Sequence, residues 1–137
     1  MNKPRPQVLL LLRAALFLDA VVFLTAALLN FGTSIPLGFG ELNFPQPIWQ
    51  AGVGEAVIGL ALLAAAATGR LRIAWVAFWL SAAGIVFGLS SVRVQGPARE
   101  IHLILVPLAA VVGSLLLWLR QLRLSAQPQA PGSGAEK

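Results

Sequence analysis

The sequence contains no cysteine and little charge, and each absence excludes a class of function. Without cysteine the chain can form no disulfide, no thiol redox centre and no thiolate metal site. Charged residues make up only 11% of the 137 positions, far fewer than the surface of a soluble domain requires. The sequence also lacks a phosphate loop, a nucleophile elbow and paired metal ligands, so it contains no motif of a soluble enzyme.

The residues that are present are mainly apolar. Hydrophobic residues make up 58% of the chain, and the mean hydropathy is +0.81. These values indicate an integral membrane protein, and the length allows one domain. The net charge of +5 and the pI of about 11.5 would suggest nucleic acid in a soluble chain. Here the basic residues flank apolar segments and would face anionic lipid. We therefore expect the lipid bilayer as a partner and no nucleic acid.

Four apolar segments are long enough to cross the bilayer core, which takes about 20 residues of helix. They cover about residues 8–30, 48–67, 71–92 and 101–119. The first follows basic residues, as in a signal peptide, but its apolar run is too long and no clear cleavage site follows, so we interpret it as a retained anchor. The polar stretch 125–137, rich in Pro and Gly, is expected to be disordered. We predict an all-α transmembrane domain over residues 1–124.

The connections and the basic residues predict the arrangement of these spans. The first connection, 31–47, contains several Gly and Pro residues and is expected to form an irregular or partly re-entrant cap. The second, T-G-R-L-R, places Gly69 as a helix terminator and forces spans two and three into a tight hairpin. Six basic residues lie on one side of the spans, against Arg93 and Arg99 on the other; they are Lys3, Arg5, Arg70, Arg72, Arg120 and Arg123. This asymmetry predicts an antiparallel four-helix bundle with both termini cytoplasmic.

Two carboxylates lie inside apolar spans: Asp19 in L-F-L-D-A-V-V-F and Glu55 in Q-A-G-V-G-E-A-V-I-G-L. A charge at the centre of a span costs on the order of 2.5–3.5 kcal/mol on insertion, so each needs a reason. Counted at 1.5 Å per residue, Asp19 lies about 16 Å into its span and Glu55 about 10 Å below the outer surface. The two are expected within about 5–6 Å of the same depth.

Small residues predict which helix faces point inward, because they let helices approach closely in lipid. Glu55 shares a helical face with Gly52 and Gly59, and His102 shares one with Ala109 and Gly113. We therefore expect Glu55 and His102 to face the interior of the bundle.

Each ionisable residue has a structural and a functional interpretation. Asp19 either fixes packing through an interhelical hydrogen bond or acts as a proton-carrying or ligand-binding acid. Glu55 either fixes packing or forms the floor of an outward-facing pocket. His102 is either a satisfied interfacial histidine or the protonatable group at the mouth of that pocket. As the only histidine, without neighbouring ligands, it predicts no metal site. Arg93 is expected at the outer surface, within reach of Glu55, and Arg13 is expected to snorkel to the cytoplasmic surface.

Spans one to three resemble a known family. Leu12-Arg13 followed by A-A-L-F-L opens the first span, G-V-G-E-A-V-I-G-L-A-L-L places Glu55 among glycines in the second, and A-W-V-A-F-W-L-S-A-A-G opens the third. Over about residues 10–92 this pattern resembles the DoxX-like group of small four-helix bacterial membrane proteins. The resemblance implies a compact bundle in the bacterial inner membrane and carries the family's span-two Glu over to Glu55. Some relatives are tied to quinone-linked oxidation of sulfur compounds or to membrane redox complexes. Asp19 stands where the family usually has an apolar or small residue.

Three functions remain open. The favoured one is a small binding or accessory subunit, with a polar pocket around Glu55 for a quinone-like or lipid-like molecule and a redox or quinone-linked role. The second is a membrane-embedded acid–base enzyme, similar to sterol-isomerase-like proteins, that uses Asp19, Glu55 and His102. The third is a proton-coupled small-molecule transporter that uses Asp19 and Glu55 in a homo-oligomer. The sequence identifies no cofactor; a homo-oligomer and a larger membrane complex are the protein partners it leaves open.

Overall fold

A computed structural model describes residues 6–91 and 94–125 and is mostly helical. The helices are α1 (Pro6–Asn30), α2 (Trp49–Thr68), α3 (Leu71–Ser90) and α4 (Pro97–Ser125). All four are long and apolar enough to cross a membrane, which confirms the prediction of four spans and indicates a multi-pass membrane protein. Helix α4 extends beyond the predicted span at both ends. Arg93 and the predicted disordered tail, apart from Ser125, lie outside the described residues.

The helices pack around one core, and each helix contacts its neighbours in the sequence. Helix α1 packs against α2 and α4, and α3 also packs against α2 and α4. Each helix contributes fully buried apolar side chains to this core, for example Leu16, Leu62, Ala77 and Val112. Large apolar side chains also cover the outer surface, and more than half of Leu10, Val86 and Leu103 is exposed. Such a surface suits lipid rather than water.

A short connection joins α2 to α3. Between α2 and α3, Gly69 adopts a left-handed conformation with φ 62°, and its N–H donates to the carbonyl of Ala65. Glycine is favoured at this position because it has no Cβ to strain, so the predicted helix terminator is confirmed.

The connection between α1 and α2 contains a β-hairpin where the sequence predicted an irregular cap. Strand β1 (Ile35–Leu37) pairs antiparallel with β2 (Gly40–Leu42), and Ile35 lies opposite Leu42. Gly38 and Phe39 form the two-residue turn, a length typical of hairpins. The Gly and Pro residues therefore end the helix, as expected, and they also supply a turn that allows strand pairing.

Arg13 ties α1 to the end of α2. Its Nε donates to the carbonyl oxygen of Ala66 at 2.7 Å, and its Nη2 donates to that of Ala67 at 3.2 Å. Carbonyls in the last turn of a helix have no intrahelical donor, and a positive charge is favourable there. Arg13 therefore has specific partners, where the sequence predicted only snorkelling.

Replacing Arg13 with Gln is expected to lower the free energy of unfolding by about 1–2 kcal/mol, because two carbonyls lose a charged donor at a partly exposed site. The change is measured as the shift in the unfolding midpoint in mixed detergent micelles. Arg72→Gln is the matched control, since Arg72 is exposed on α3 and shows no partner among residues 6–91 and 94–125. Equal shifts for the two variants would contradict the helix-end role of Arg13.

Candidate functional site

Three polar side chains from three helices meet at the end of the molecule where α1 ends and α2 begins. Asn30 Nδ2 donates to Glu55 Oε2 at 2.8 Å, and Asn30 Oδ1 accepts from the backbone N–H of Ile48 at 3.0 Å. His102 Nε2 lies 3.8 Å from Glu55 Oε1. Asn30 and Glu55 are each 6% exposed and His102 is 4% exposed. The prediction that Glu55 and His102 face the interior is confirmed.

The hydrogen bond that His102 makes to the backbone fixes the protonation of its Nδ1 atom. His102 Nδ1 lies 2.8 Å from the carbonyl oxygen of Ala98. A carbonyl only accepts, so Nδ1 must carry a proton. A neutral pair then requires Nε2 either as a bare acceptor beside a carboxylic acid or as a protonated donor beside a carboxylate. Such a neutral pair reduces the cost of burial.

Two glycines make room for these side chains. A Cβ at Gly88 would collide with Cδ2 and Nε2 of the His102 imidazole, so α3 can pass this ring only without a side chain. A Cβ at Gly52 would lie 2.8 Å from the Phe31 ring and 3.1 Å from Asn30 Cβ. The small residues that predicted the inward faces therefore also position Asn30 and His102.

A cavity of about 1080 Å³ opens beside this cluster. Its walls come from α1, α2, α3, the start of α4 and the connections at this end of the molecule. Asn30, Glu55 and His102 contribute to its polar surface. Most of the wall area is apolar, and the larger apolar residues are Phe23, Phe44, Ile58, Phe87 and Val94. A largely apolar cavity with a few convergent polar groups is typical of a site for a small molecule.

Asp19 forms a separate polar contact between α1 and α3. Ser81 Oγ donates to Asp19 Oδ2 at 3.1 Å, and Asp19 is only 1% exposed. Within the described part of the chain, Asp19 Oδ1 has no hydrogen-bond partner. Asp19 is therefore bound to a neighbouring helix, as the structural interpretation expected, and it retains one unsatisfied oxygen.

Asp19 and Glu55 take part in separate contacts, and residue counts along the helices place these contacts farther apart in depth than the predicted distance of about 5–6 Å. On α1, Asp19 precedes Asn30 by 11 residues, or about 16 Å. On α3, Ser81 precedes Gly88 by seven residues, or about 10 Å. Side chains lean toward the N-terminus of their own helix, so Glu55 reaches toward the start of α2 and Asp19 toward the start of α1. Counting residues from the span ends missed this divergence.

An apolar layer separates the two polar contacts. Phe23 is fully buried one turn beyond Asp19. A Cβ at Gly84 would lie 2.6 Å from Ile58 Cδ1 and 3.4 Å from the Phe23 ring, so these three residues pack tightly together. Phe23, Ile58 and Gly84 line the cavity, whereas Asp19 and Ser81 do not. The structure therefore places Asp19 behind the cavity wall.

Ser81→Ala is expected to lower the free energy of unfolding by about 1–3 kcal/mol, because Asp19 would lose its partner while remaining buried. Ser114→Ala provides the control, since the Ser114 hydroxyl is exposed and donates to the Ala110 carbonyl of its own helix. The two variants are compared by their unfolding midpoints in micelles. An unchanged midpoint for Ser81→Ala would show that the Asp19 contact contributes nothing to stability.

Asn30 was not predicted from the sequence as a site residue, and the placement of Arg93 stays a prediction. Asn30 ends the first span and was indistinguishable from an ordinary polar residue at a helix end. No pattern within α1 marks it as a partner of Glu55. Arg93 lies outside the described residues. Across residues 6–91 and 94–125, no group of three or more His, Asp or Glu side chains is placed to hold a metal ion.

No protein-family model matches the chain, and no significant match was found among curated proteins or solved structures. The resemblance to DoxX-like proteins therefore remains a prediction. The function must be inferred from the site itself.

Proposed function

We propose that this chain is a small DoxX-like protein of the bacterial inner membrane that binds a quinone-like or lipid-like molecule and acts as a binding or accessory subunit. The observation that carries the proposal is the meeting of Glu55 and His102, from different helices, beside a cavity of about 1080 Å³. Drug-sized ligands occupy cavities of about 300–1,000 Å³, so the space suits a molecule of that size. A polar head group would bond to the pair, and an apolar body would fill the rest.

The geometry of the pair favours an oxygen-bearing head group. The 3.8 Å between Glu55 Oε1 and His102 Nε2 is too long for a direct hydrogen bond. A ligand oxygen can therefore bond to either atom without displacing an existing bond. A quinone carbonyl would accept a hydrogen bond from the protonated member of the pair, whereas a hydroxyl would both donate and accept. Asn30 holds the other carboxylate oxygen and fixes the orientation of Glu55.

The proposal includes the topology of the four helices in the membrane. The four helices form an antiparallel bundle with both termini in the cytoplasm. This topology is supported by the short connection at Gly69 and by the basic residues Arg70, Arg72, Arg120 and Arg123 near helix ends. The cavity then opens toward the outer side of the membrane.

An acid–base enzyme is the second candidate, and the closeness of the titratable side chains of Glu55 and His102 favours it. Two titratable groups in contact, both beside a cavity, are the elements of general acid–base catalysis. The proton-coupled transporter has less support, since the layer of Phe23, Ile58 and Gly84 separates Asp19 from the cavity. An enzyme would lose turnover more than affinity when Glu55 is changed, whereas a binding subunit would lose affinity.

Native mass spectrometry of the full chain, extracted in mild detergent, tests the proposal. We expect a population of the protein with a bound small molecule, and the same spectrum gives the number of subunits or partner chains. If the wild-type protein carries no molecule and also fails to bind an added short-chain quinone, quinone-like binding is excluded. If the protein also retains no bilayer lipid after extraction, the binding role is overturned.

A further inference from the structure

A second cleft lies between α3 and α4, far from Glu55. It measures about 630 Å³ and is lined by Trp75, Phe78, Trp79, Gly113, Leu117 and Arg120. On α4, Gly113 follows His102 by 11 residues, or about 16 Å. The cleft therefore lies toward the opposite end of the helices and shares no residue with the proposed ligand site.

Aromatic rings and a glycine shape this cleft. Phe78 packs edge-to-face with Trp75 at a centroid distance of 5.9 Å and with Trp79 at 5.3 Å. A Cβ at Gly113 would lie 3.0 Å from the Phe78 ring, so Gly113 lets that ring lie directly against α4. Trp79 is 64% exposed and forms an open apolar wall. The shape suits a flexible hydrocarbon chain more than a folded partner.

Arg120 adds an uncompensated positive charge to this apolar wall. Its side chain is exposed and makes no ion pair with any described residue. Four acidic residues are described, and all lie elsewhere: Asp19 and Glu55 are buried, Glu41 is on β2, and Glu100 is in the first turn of α4. A guanidinium group matches the geometry of a phosphate, to which it donates two parallel hydrogen bonds.

We propose that this cleft binds an anionic phospholipid. Its phosphate pairs with Arg120, and one acyl chain lies along Trp75, Trp79 and Leu117. Basic pockets between transmembrane helices recognise anionic head groups in this way. A zwitterionic lipid fits less well, because its own cation would lie near Arg120. The proposal is independent of the Glu55 site and would stand if that site bound nothing.

The test uses the full chain in phosphatidylcholine nanodiscs, with tryptophan fluorescence as the readout. Trp49→Phe and Trp118→Phe remove the two tryptophans outside the cleft and leave Trp75 and Trp79 as reporters. Brominated phosphatidylglycerol is expected to quench this fluorescence at lower mole fraction than brominated phosphatidylcholine. Arg120→Gln should reduce that preference about fivefold, which corresponds to about 1 kcal/mol for one basic residue near the surface.

Arg123→Gln is the matched control, because it removes the same charge from the same helix without touching the cleft. It should retain the preference for anionic lipid. Arg120→Lys, which keeps the charge but loses the forked donor, should retain an intermediate preference. Equal quenching by the two lipids in the wild-type protein would overturn the proposal. Equal losses for Arg120→Gln and Arg123→Gln would also overturn it, since they would show general surface attraction in place of a site.

Discussion

Replacing Glu55 with Gln is expected to weaken ligand binding by about tenfold to a hundredfold while leaving the fold intact. Gln keeps a carbonyl oxygen that accepts from Asn30 Nδ2, and its amide nitrogen can donate toward His102. The side chain therefore stays in place. The amide can neither carry a charge nor supply a transferable proton, however, and hydrogen bonds to charged groups contribute about 1.5–3 kcal/mol.

The binding loss is measured by titrating the purified variants with a short-chain quinone and with its hydroquinone. Glu41→Gln is the control, because Glu41 is an exposed residue of β2 outside the cavity lining. It should bind like the wild-type protein. If Glu55→Gln binds both forms with wild-type affinity, Glu55 has a packing role only, and the proposed quinone-binding function fails with it.

Gly88→Ala is expected to lower both stability and ligand affinity, because its new methyl group would occupy the position of the His102 ring. The ring must move, and this separates Nε2 from Glu55. Inserting a methyl group into a packed interior typically costs about 1–3 kcal/mol of unfolding free energy. The unfolding midpoint and the quinone titration measure the two effects on the same preparation.

Two further variants test whether the collision with His102 causes the loss of stability in Gly88→Ala. Gly54→Ala adds the same methyl group to α2 at a position where nothing beyond its chain neighbours and its own helix backbone lies within 4 Å, so its unfolding midpoint should be no lower than that of the wild-type protein. Combining Gly88→Ala with His102→Ala removes the ring that the methyl group meets. The stability cost of Gly88→Ala should then largely vanish, giving strong non-additivity between neighbouring sites. Additive costs in the double variant would contradict the contact between Gly88 and His102.

Hydropathy and small residues were sufficient to predict the main architecture. Apolar runs of about 20 residues have few alternatives to membrane-spanning helices, so the four spans followed from length and composition. The inward faces of α2 and α4 followed from Gly52, Gly59 and Gly113, because close helix approach needs small side chains. Glu55 and His102 were therefore correctly placed in the interior.

The partners of these residues could not be predicted, because they depend on helix rotation and on side-chain direction. Asn30 reaches Glu55 only because α1 ends beside the start of α2, and no periodicity within either helix records that register. Arg13 likewise donates to carbonyls near the end of α2 because of how α1 lies against α2, which neither helix records in its own sequence. The depth estimate for Asp19 and Glu55 fell short because it was counted from the predicted span ends, which do not record how α1 and α2 are offset along their axes.

Photoaffinity labelling tests whether a ligand binds beside Glu55 and His102. The full chain in nanodiscs is irradiated with a photoreactive short-chain quinone, and the labelled peptides are mapped by mass spectrometry. Labels are expected on the segments 44–58, 84–91 and 94–98, which contribute to the cavity lining, and they should be removed by excess unlabelled quinone and reduced in Glu55→Gln. Labels confined to lipid-facing positions such as Leu10 and Leu103, unaffected by competitor and by Glu55→Gln, would contradict a binding site at Glu55 and His102.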